Sequence, residues 1–213
     1  MKIDVWADII CPYCYIGKRN LEMALKELEF EREVKIHYHS FELNPNAKSE
    51  GKKGTIKYLS DKYHISDEDA QNMLNRIIRM GKLVGLDLSF DSIIHTNTFD
   101  AHRLIHMAKE YGKELEMVEA LFKANFTDFQ NVGDIEVLGD IGAEVGLNRE
   151  DVINMLNTDQ FFSEVNNDKF KAVELGINSV PYYIVNDELV IPGAQPVKVF
   201  METFKKANIK KNS

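Results

Sequence analysis

The sequence predicts an α/β protein in which an all-helical segment separates a β-α-β half from a β-β-α half. Three observations carry this prediction. Strand-like alternation occurs near both ends of the 213-residue chain, a long middle stretch has only helical spacing, and the stretch CPYC follows the first strand. We therefore predict one domain from residues 1–46 and 158–213, and an inserted helical domain over 47–157.

The first forty residues have the pattern of a β-α-β unit. Apolar and polar residues alternate over 2–8, which predicts a strand. Pro12 suits the first turn of a helix because its φ is already helical and its missing N–H is not needed there. An apolar stripe beginning at Leu21 extends that helix to about residue 29, and alternation over 34–42 predicts the second strand.

Helical spacing dominates the middle of the chain. A polar stretch over 44–54 predicts a junction, and Ser66 to Asp69 fits a capping box that starts a helix. Asn97 is expected to cap a further helix, and helical segments continue to about residue 176. Glycines at positions 112, 133, 146 and 176 are expected to mark helix ends.

Strand character returns near the C-terminus. Residues 182–185 and 188–191 flank the turn formers Asn186 and Asp187, which predicts a β-hairpin. A last apolar stripe then predicts a helix from Pro196.

Composition excludes several classes of function. The formal net charge of -8 gives no electrostatic reason to bind nucleic acid or an anionic membrane, so neither is an expected partner. The opening residues 1–8 contain no apolar run behind a basic start, which predicts a soluble, cytoplasmic protein. Two cysteines cannot form a disulfide scaffold, and a reducing cytosol would not maintain a structural bridge. The pair is therefore predicted to be reactive.

The position of Cys11 and Cys14 explains that reactivity. A C-x-x-C pair beside a β-α-β unit, in this order of elements, predicts the thioredoxin fold with an insertion between its two halves. Cys11 would lie at the N-terminal end of the first helix, where unpaired amides favour thiolate over thiol. Cys14 follows about one turn later and could attack a mixed disulfide at Cys11. Cys11 is the predicted nucleophile and Cys14 the predicted resolving thiol.

Three stretches, DVWADIICPYCYIGKRNLE, NTFDAHRLIHMAKEYG and GINSVPYYIVNDELVIPGAQP, resemble the DsbA family, specifically its FrnE-like branch of cytosolic dithiol-disulfide oxidoreductases. The resemblance implies a redox-active disulfide exchanged with thiol- or disulfide-bearing polypeptides, and glutathione or another recycling thiol as redox partner without a bound cofactor. It also implies a cis-proline loop at Val180-Pro181 that faces the two cysteines. Pro12, Tyr13, Val180 and Pro181 are then the expected substrate-binding residues.

The dipeptide between the cysteines bears on the redox potential. Pro12 and Tyr13 form the Pro-Tyr pair that is also found in glutaredoxins. Tyr13 is neutral and supplies no imidazolium to stabilise a thiolate. We therefore expect a reduction potential of about -180 to -230 mV, between glutaredoxins and protein disulfide isomerase.

The remaining polar residues have both functional and structural interpretations. Structural zinc needs four ligands and no third cysteine exists, so no metal site is predicted. His102 and His106 have metal-compatible i, i+4 spacing, as His37 and His39 share a strand face, but no carboxylate pattern joins them, and all four are predicted to be structural or solvated. Asp8 could act on the thiols or simply end the strand in solvent, and Arg103 could line a cleft or be a solvated charge.

Two further function classes remain open. The same interrupted fold occurs in 2-hydroxychromene-2-carboxylate isomerases and kappa-class glutathione transferases, which bind glutathione and typically carry a serine at the motif. The presence of both Cys11 and Cys14 favours electron exchange over that alternative. A non-catalytic module that holds polypeptides is the third class, and it predicts that Cys11→Ser leaves function intact.

Overall fold

The computed structural model describes residues 1–30, 34–48 and 54–211, and this part of the chain contains four strands and nine helices. In chain order they are β1 (Lys2–Ala7), α1 (Pro12–Glu27), β2 (Lys35–Ser40), α2 (Thr55–Tyr63), α3 (Asp67–Leu83), α4 (Phe99–Glu110), α5 (Glu114–Phe126), α6 (Ile135–Glu144), α7 (Arg149–Leu156), α8 (Phe162–Glu174), β3 (Tyr182–Val185), β4 (Leu189–Pro192) and α9 (Val197–Lys211). The predicted α/β fold class is confirmed.

The four strands form one mixed sheet in the order β2-β1-β3-β4. β1 is parallel to β2, as a β-α-β crossover requires, and antiparallel to β3, which is antiparallel to β4. The central position of β1 explains why it is the most buried strand, with five of its six residues inaccessible to solvent. The start of α1 follows directly from the end of this buried strand.

The hairpin between β3 and β4 has the geometry that its sequence predicts. Asn186 and Asp187 have φ values of 51° and 59°, and such a pair of left-handed residues matches the twist of the flanking strands. Asn186 also bonds to β1, because its N–H donates to the Lys2 carbonyl at 2.9 Å and its Oδ1 accepts from the Lys2 N–H at 2.9 Å.

The two faces of the sheet carry different cores. On one face Tyr183 is opposite Val5 in the register, and its ring meets Phe200 of α9 edge-on with the centroids 5.0 Å apart. On the other face Trp6 packs with Ala172 and Ile177, at the end of α8. The alternation along each strand thus supplies apolar side chains to both layers of helices.

The chain divides into two compact units, one of residues 1–43 and 163 onward, the other of residues 44–162. The second unit contains α2 to α7 and no strand among its described residues. Its core is built from aromatic and aliphatic side chains with almost no exposure, including Leu104, Met117, Leu121, Phe122, Phe126 and Leu138.

Local signals for helix starts and ends are mostly confirmed. The Ser66 hydroxyl accepts from the Asp69 N–H at 3.0 Å and donates to Asp69 Oδ2 at 2.7 Å, so Ser66 caps the start of α3 as predicted. Gly112, Gly146 and Gly176 follow helices with positive φ, as predicted. Gly133 does not end a helix. A Cβ at this position would lie 2.1 Å from Thr96 Oγ1, so close packing explains why the residue is glycine.

Two details of the prediction differ. The cap of α4 is Thr98 rather than Asn97, although the Asn97 side chain accepts from the Phe99 N–H at 2.8 Å. Helix α2 was not predicted, because it is short and ends on His64 in a left-handed conformation, without a glycine signal. Part of the predicted junction, residues 49–53, lies outside the described residues.

Candidate active site

Cys11 is the N-cap residue of α1, one position before Pro12. Its extended backbone, with φ of -92° and ψ of 110°, carries the chain from β1 into the helix. The turn is closed by hydrogen bonds from the Cys11 N–H to the Asp8 carbonyl and from the Cys14 N–H to the Cys11 carbonyl, both 3.0 Å. The C-x-x-C spacing therefore spans the first turn of the helix.

Both cysteines are free thiols, and both are buried, with 4% of Cys11 and 2% of Cys14 exposed. A hydrogen bond links their side chains. The Cys11 thiol also lies 3.7 Å from the Val180 carbonyl oxygen, to which it donates. The two sulfurs and the loop before β3 are thus brought together from positions 169 residues apart.

The surroundings of Cys14 keep it protonated. Burial, the hydrogen bond with Cys11 and the charge on Cys11 together raise the pKa of the Cys14 thiol well above its ordinary value of 9.0. The Asp8 backbone opposes this shift, but it does not outweigh the other contributions. At neutral pH Cys14 is therefore a neutral thiol.

Asp8 has no solvent exposure, so a solvated strand end is the wrong interpretation of this residue. Its carboxylate accepts from the Leu43 N–H at 2.7 Å and from the Ile10 N–H at 3.5 Å, which ties the ends of β1 and β2 together. Its negative charge also disfavours the thiolate of Cys14. Asp8 thus acts on both the backbone and the dithiol.

The loop before β3 contains the peptide bond for which the sequence predicts a cis conformation. The Val180-Pro181 peptide is cis, and the Pro181 carbonyl accepts from the Gly193 N–H at 2.7 Å. Pro181 is buried and Val180 half-buried, as are Pro12 and Tyr13 at the start of α1. The predicted substrate-binding residues lie on the two segments that carry the sulfurs and their acceptor.

Two residues near the cysteines were not found from the sequence. Gly17 is buried on α1, and a Cβ there would lie 2.2 Å from the Tyr183 hydroxyl oxygen. Burial raises the pKa of Tyr183 well above its usual 10.0, with further contributions from Tyr38 and Cys14. A glycine inside an otherwise good helix is a sequence signal for such close approach.

His39 is a structural residue. Its Nε2 lies 2.9 Å from Asp4 Oδ1 and its Nδ1 lies 2.6 Å from Asp168 Oδ1, while its ring stacks on Trp6 with centroids 4.3 Å apart. His39 therefore joins β1, β2 and α8.

In the helical unit Arg103 is buried, so its interpretation as a solvated charge is wrong. The guanidinium donates to the carbonyls of residues 155, 156, 158 and 160 and pairs with Asp100 Oδ1 at 2.8 Å. His102 is also buried, and His106 stacks on Phe161 at 6.5 Å. Across the described ranges no three His, Cys, Asp or Glu side chains converge as metal ligands.

No helix in the portion of the chain that the structure covers is both long and apolar enough to cross a bilayer.

A thioredoxin-type unit with a dithiol at the first helix N-terminus defines the class of thioredoxin-fold proteins. The family model described as DSBA-like thioredoxin domain matches residues 2–205, and the chain belongs to this family of DsbA-like thiol oxidoreductases. The FrnE-like branch stays a prediction.

Individual relatives agree with the family. The uncharacterized protein YwbO of Bacillus subtilis (strain 168) is 31% identical over 204 residues, which is 94% of each chain. A probable DsbA oxidoreductase from Streptomyces coelicolor superposes with a TM-score of 0.91 at 32% identity, covering 97% of this chain and 89% of its own. The cytosolic disulfide reductase DsbM from Pseudomonas aeruginosa, solved with GSH, shares the fold with a TM-score of 0.66 at 12% identity, covering 100% and 98%.

Proposed function

We propose that the protein is a thiol-disulfide oxidoreductase that exchanges a Cys11-Cys14 disulfide with protein or low-molecular-weight thiols. One observation carries the proposal: two hydrogen-bonded free thiols lie at the N-terminal end of α1, and the first donates to the Val180 carbonyl at 3.7 Å. This arrangement allows one sulfur to meet a substrate while the other stays protonated beside it.

The reaction proceeds through a mixed disulfide. A Cys11 thiolate attacks a substrate disulfide, the first substrate sulfur leaves with the electron pair and takes a proton, and a Cys11-substrate disulfide forms. Cys14 then loses its proton, attacks the Cys11 sulfur and releases the second substrate thiolate. Two electrons pass from the Cys11-Cys14 pair to the substrate, and the reverse sequence oxidises a substrate dithiol.

The substrate side of the proposal uses the segments around the sulfurs. The backbone at Val180 and the half-buried Pro12 and Tyr13 would bind an extended polypeptide, with Pro181 shaping the loop. Recognition through backbone rather than side chains supports a broad range of partners. Glutathione or another small thiol would recycle the pair, without a bound cofactor, in the cytoplasm.

The direct test traps the mixed disulfide. Cys14→Ser should accumulate a covalent adduct with an oxidised polypeptide such as insulin, because the resolving thiol is gone. Cys11→Ser, the matched control with one sulfur left, should form none and should lose insulin reduction. Limiting iodoacetamide should label Cys11 first in the reduced wild-type protein, because Cys14 stays un-ionised.

The other function classes give different results. A glutathione-dependent isomerase or a polypeptide-holding module would retain its activity in Cys11→Ser, and that outcome would remove the redox proposal. The two free thiols favour electron exchange over both alternatives.

A further inference from the structure

Tyr183 is a buried phenol at a position where phenylalanine would make the folded protein more stable. Its side chain is 1% exposed, and its hydroxyl oxygen has no hydrogen-bond partner among the described residues. A buried hydroxyl without a partner destabilises the folded state, whereas the ring alone would pack equally well against Phe200. The hydroxyl therefore needs a reason other than the stability of this form of the protein.

The position of the hydroxyl is defined by Gly17. A Cβ at Gly17 would lie 2.2 Å from Tyr183 Oη and 3.1 Å from Pro181 Cγ. Gly17 follows Cys14 by three residues, so the two share a face of α1. The hydroxyl thus lies against the helix face that carries Cys14, next to the loop that contacts Cys11.

The hydroxyl is suited to donate rather than to accept a proton. Burial, and then the neighbouring Tyr38, Cys14, Cys11 and Glu22, raise the pKa of Tyr183 well above its usual value. Glu22 is itself paired with Lys18 and Arg19, and the Tyr183 hydroxyl hydrogen-bonds to none of the described residues. The phenol keeps its proton through the neutral pH range and presents an O–H to this region.

Resting on the oxidoreductase function proposed above, we propose that the Tyr183 hydroxyl donates a hydrogen bond to the Cys14 sulfur whenever that sulfur is ionised. Ionisation occurs twice. When a substrate thiolate attacks Cys11 of the disulfide form, the Cys11-Cys14 bond breaks and Cys14 leaves with the electron pair. In the opposite direction Cys14 must lose its proton before it attacks the mixed disulfide. Tyr183 keeps its own proton in both steps.

At neutral pH the hydrogen bond from Tyr183 should increase the rate at which Cys14 resolves the mixed disulfide. A hydrogen bond to a charged group is stronger than one to a neutral group, so it raises the fraction of Cys14 present as thiolate. A stabilised thiolate is also a weaker nucleophile, but a Brønsted coefficient of about 0.4–0.5 cancels only part of the gain. Tyr183→Phe should therefore slow resolution roughly three- to tenfold at neutral pH.

The test measures resolution of a Cys11-glutathione mixed disulfide against pH in single turnover. Tyr183→Phe is compared with Tyr182→Phe, which makes the same chemical change on the opposite face of β3, packed against the Trp6 cluster. In Tyr183→Phe the pH profile should move to higher pH, and the rates should reach or exceed wild type at alkaline pH. Tyr182→Phe should keep the wild-type profile.

Two further measurements separate a chemical role from a structural one. In a Cys11→Ser background, the ultraviolet thiolate absorbance of Cys14 should appear at higher pH when Tyr183 is Phe. Urea unfolding should show no loss of stability, because the removed hydroxyl had no partner. A slowing that is equal at every pH would indicate a structural effect and overturn the assignment.

The failure of this proposal differs from the failure of the proposed function. If wild type resolves the mixed disulfide and Tyr183→Phe keeps the same pH profile, only the Tyr183 assignment falls. If wild type forms no mixed disulfide, the oxidoreductase function falls and Tyr183 loses its role with it.

Discussion

At the scale of single residues, the two thiols are chemically unequal although they are three positions apart. Cys11 ends an extended segment and donates to Val180, whereas Cys14 is inside the first turn and next to the buried carboxylate of Asp8. Burial and charge hold Cys14 in its neutral form. A small difference in backbone position thus separates the attacking sulfur from the resolving one.

The close approach at Gly17 gives the first prediction. Gly17→Ala places a methyl 2.2 Å from Tyr183 Oη and 3.1 Å from Pro181 Cγ, so α1 or the loop must shift. We expect a loss of about 1–3 kcal/mol in the free energy of unfolding, although alanine normally favours a helix. Urea denaturation measures it.

The partner of the clash provides an internal control. Tyr183→Phe removes the atom that the methyl would meet first, so it should recover part of the stability lost in Gly17→Ala. Gly54→Ala, at the N-cap of α2 with no atom within 4 Å of a new Cβ, makes no clash; it should lose at most about 1 kcal/mol through the weaker cap and recover nothing from Tyr183→Phe. Purely additive effects at positions 17 and 183 would contradict the contact.

The reactive residues could be predicted from the sequence more fully than the buried polar residues that surround them. Cys11, Cys14 and the Val180-Pro181 bond are visible because a motif and a resemblance carry them. Tyr183 is not, and for Asp8 the sequence leaves open whether it acts on the thiols or lies in solvent, because whether a polar side chain is buried depends on strands and helices distant in the chain. Arg103 was missed for the same reason, since its acceptors come from 52 to 57 positions further along.

At the scale of elements, one charge cluster holds β1, β2 and α8 together. His39 bridges Asp4 and Asp168, and Lys2 Nζ adds an ion pair to Asp4 Oδ2 at 2.9 Å. Asp168 also accepts from the Ser40 N–H at 2.9 Å. These contacts connect the sheet to the helix on the Trp6 face.

Asp4 makes this cluster sensitive to acid. Burial opposes ionisation, but hydrogen bonds from His39 and Lys2 outweigh it and lower the pKa of Asp4 below 3.8. Because the folded pKa is depressed, the stabilisation is complete above pH 3.8 and is lost as pH falls through the lowered pKa.

Asp4→Asn should therefore cost about 1–3 kcal/mol at neutral pH, and the gap to wild type should close in acid. Urea unfolding across pH measures both. Asp187→Asn is the control, since Asp187 also pairs with Lys2 but is 73% exposed, and Asn tolerates its positive φ. A gap that stays constant down to the lowest pH would contradict the assignment.

Arg103 has the corresponding role in the helical unit. Its guanidinium satisfies four carbonyls where α7 ends, and a lysine cannot reach them all from one ammonium. Arg103→Lys should therefore lower stability by at least about 3 kcal/mol. Arg149→Lys, on the exposed surface of the same unit, should change little. Equal effects in thermal unfolding would refute the role of Arg103.

Element prediction followed periodicity closely and failed where periodicity is absent. Both halves of the sheet unit and the hairpin could be predicted, because alternation and turn residues are local signals. Helix α2 could not, since nine residues with few apolar positions give too little pattern. Gly133 was misread because close packing and helix termination both select glycine.

At the scale of the whole molecule, the reduction potential of the Cys11-Cys14 pair measures the equilibrium between its dithiol and disulfide forms. Tyr13 supplies no positive charge beside Cys11, so we expect a value of about -180 to -230 mV. Titration against glutathione with alkylation of free thiols measures it. Tyr13→His should move the potential to less negative values by stabilising the reduced thiolate. An unchanged potential in that variant would show that position 13 does not act on Cys11.

The split of the sheet unit across the chain has a consequence during synthesis. Cys11 leaves the ribosome 169 residues before Val180, which at 5–20 residues per second is a delay of roughly 8 to 34 s. The helical unit is continuous and can fold in that interval, whereas β1 has β2 beside it but lacks β3 on its other edge. A nascent chain therefore displays its two cysteines before the segment that will enclose them exists.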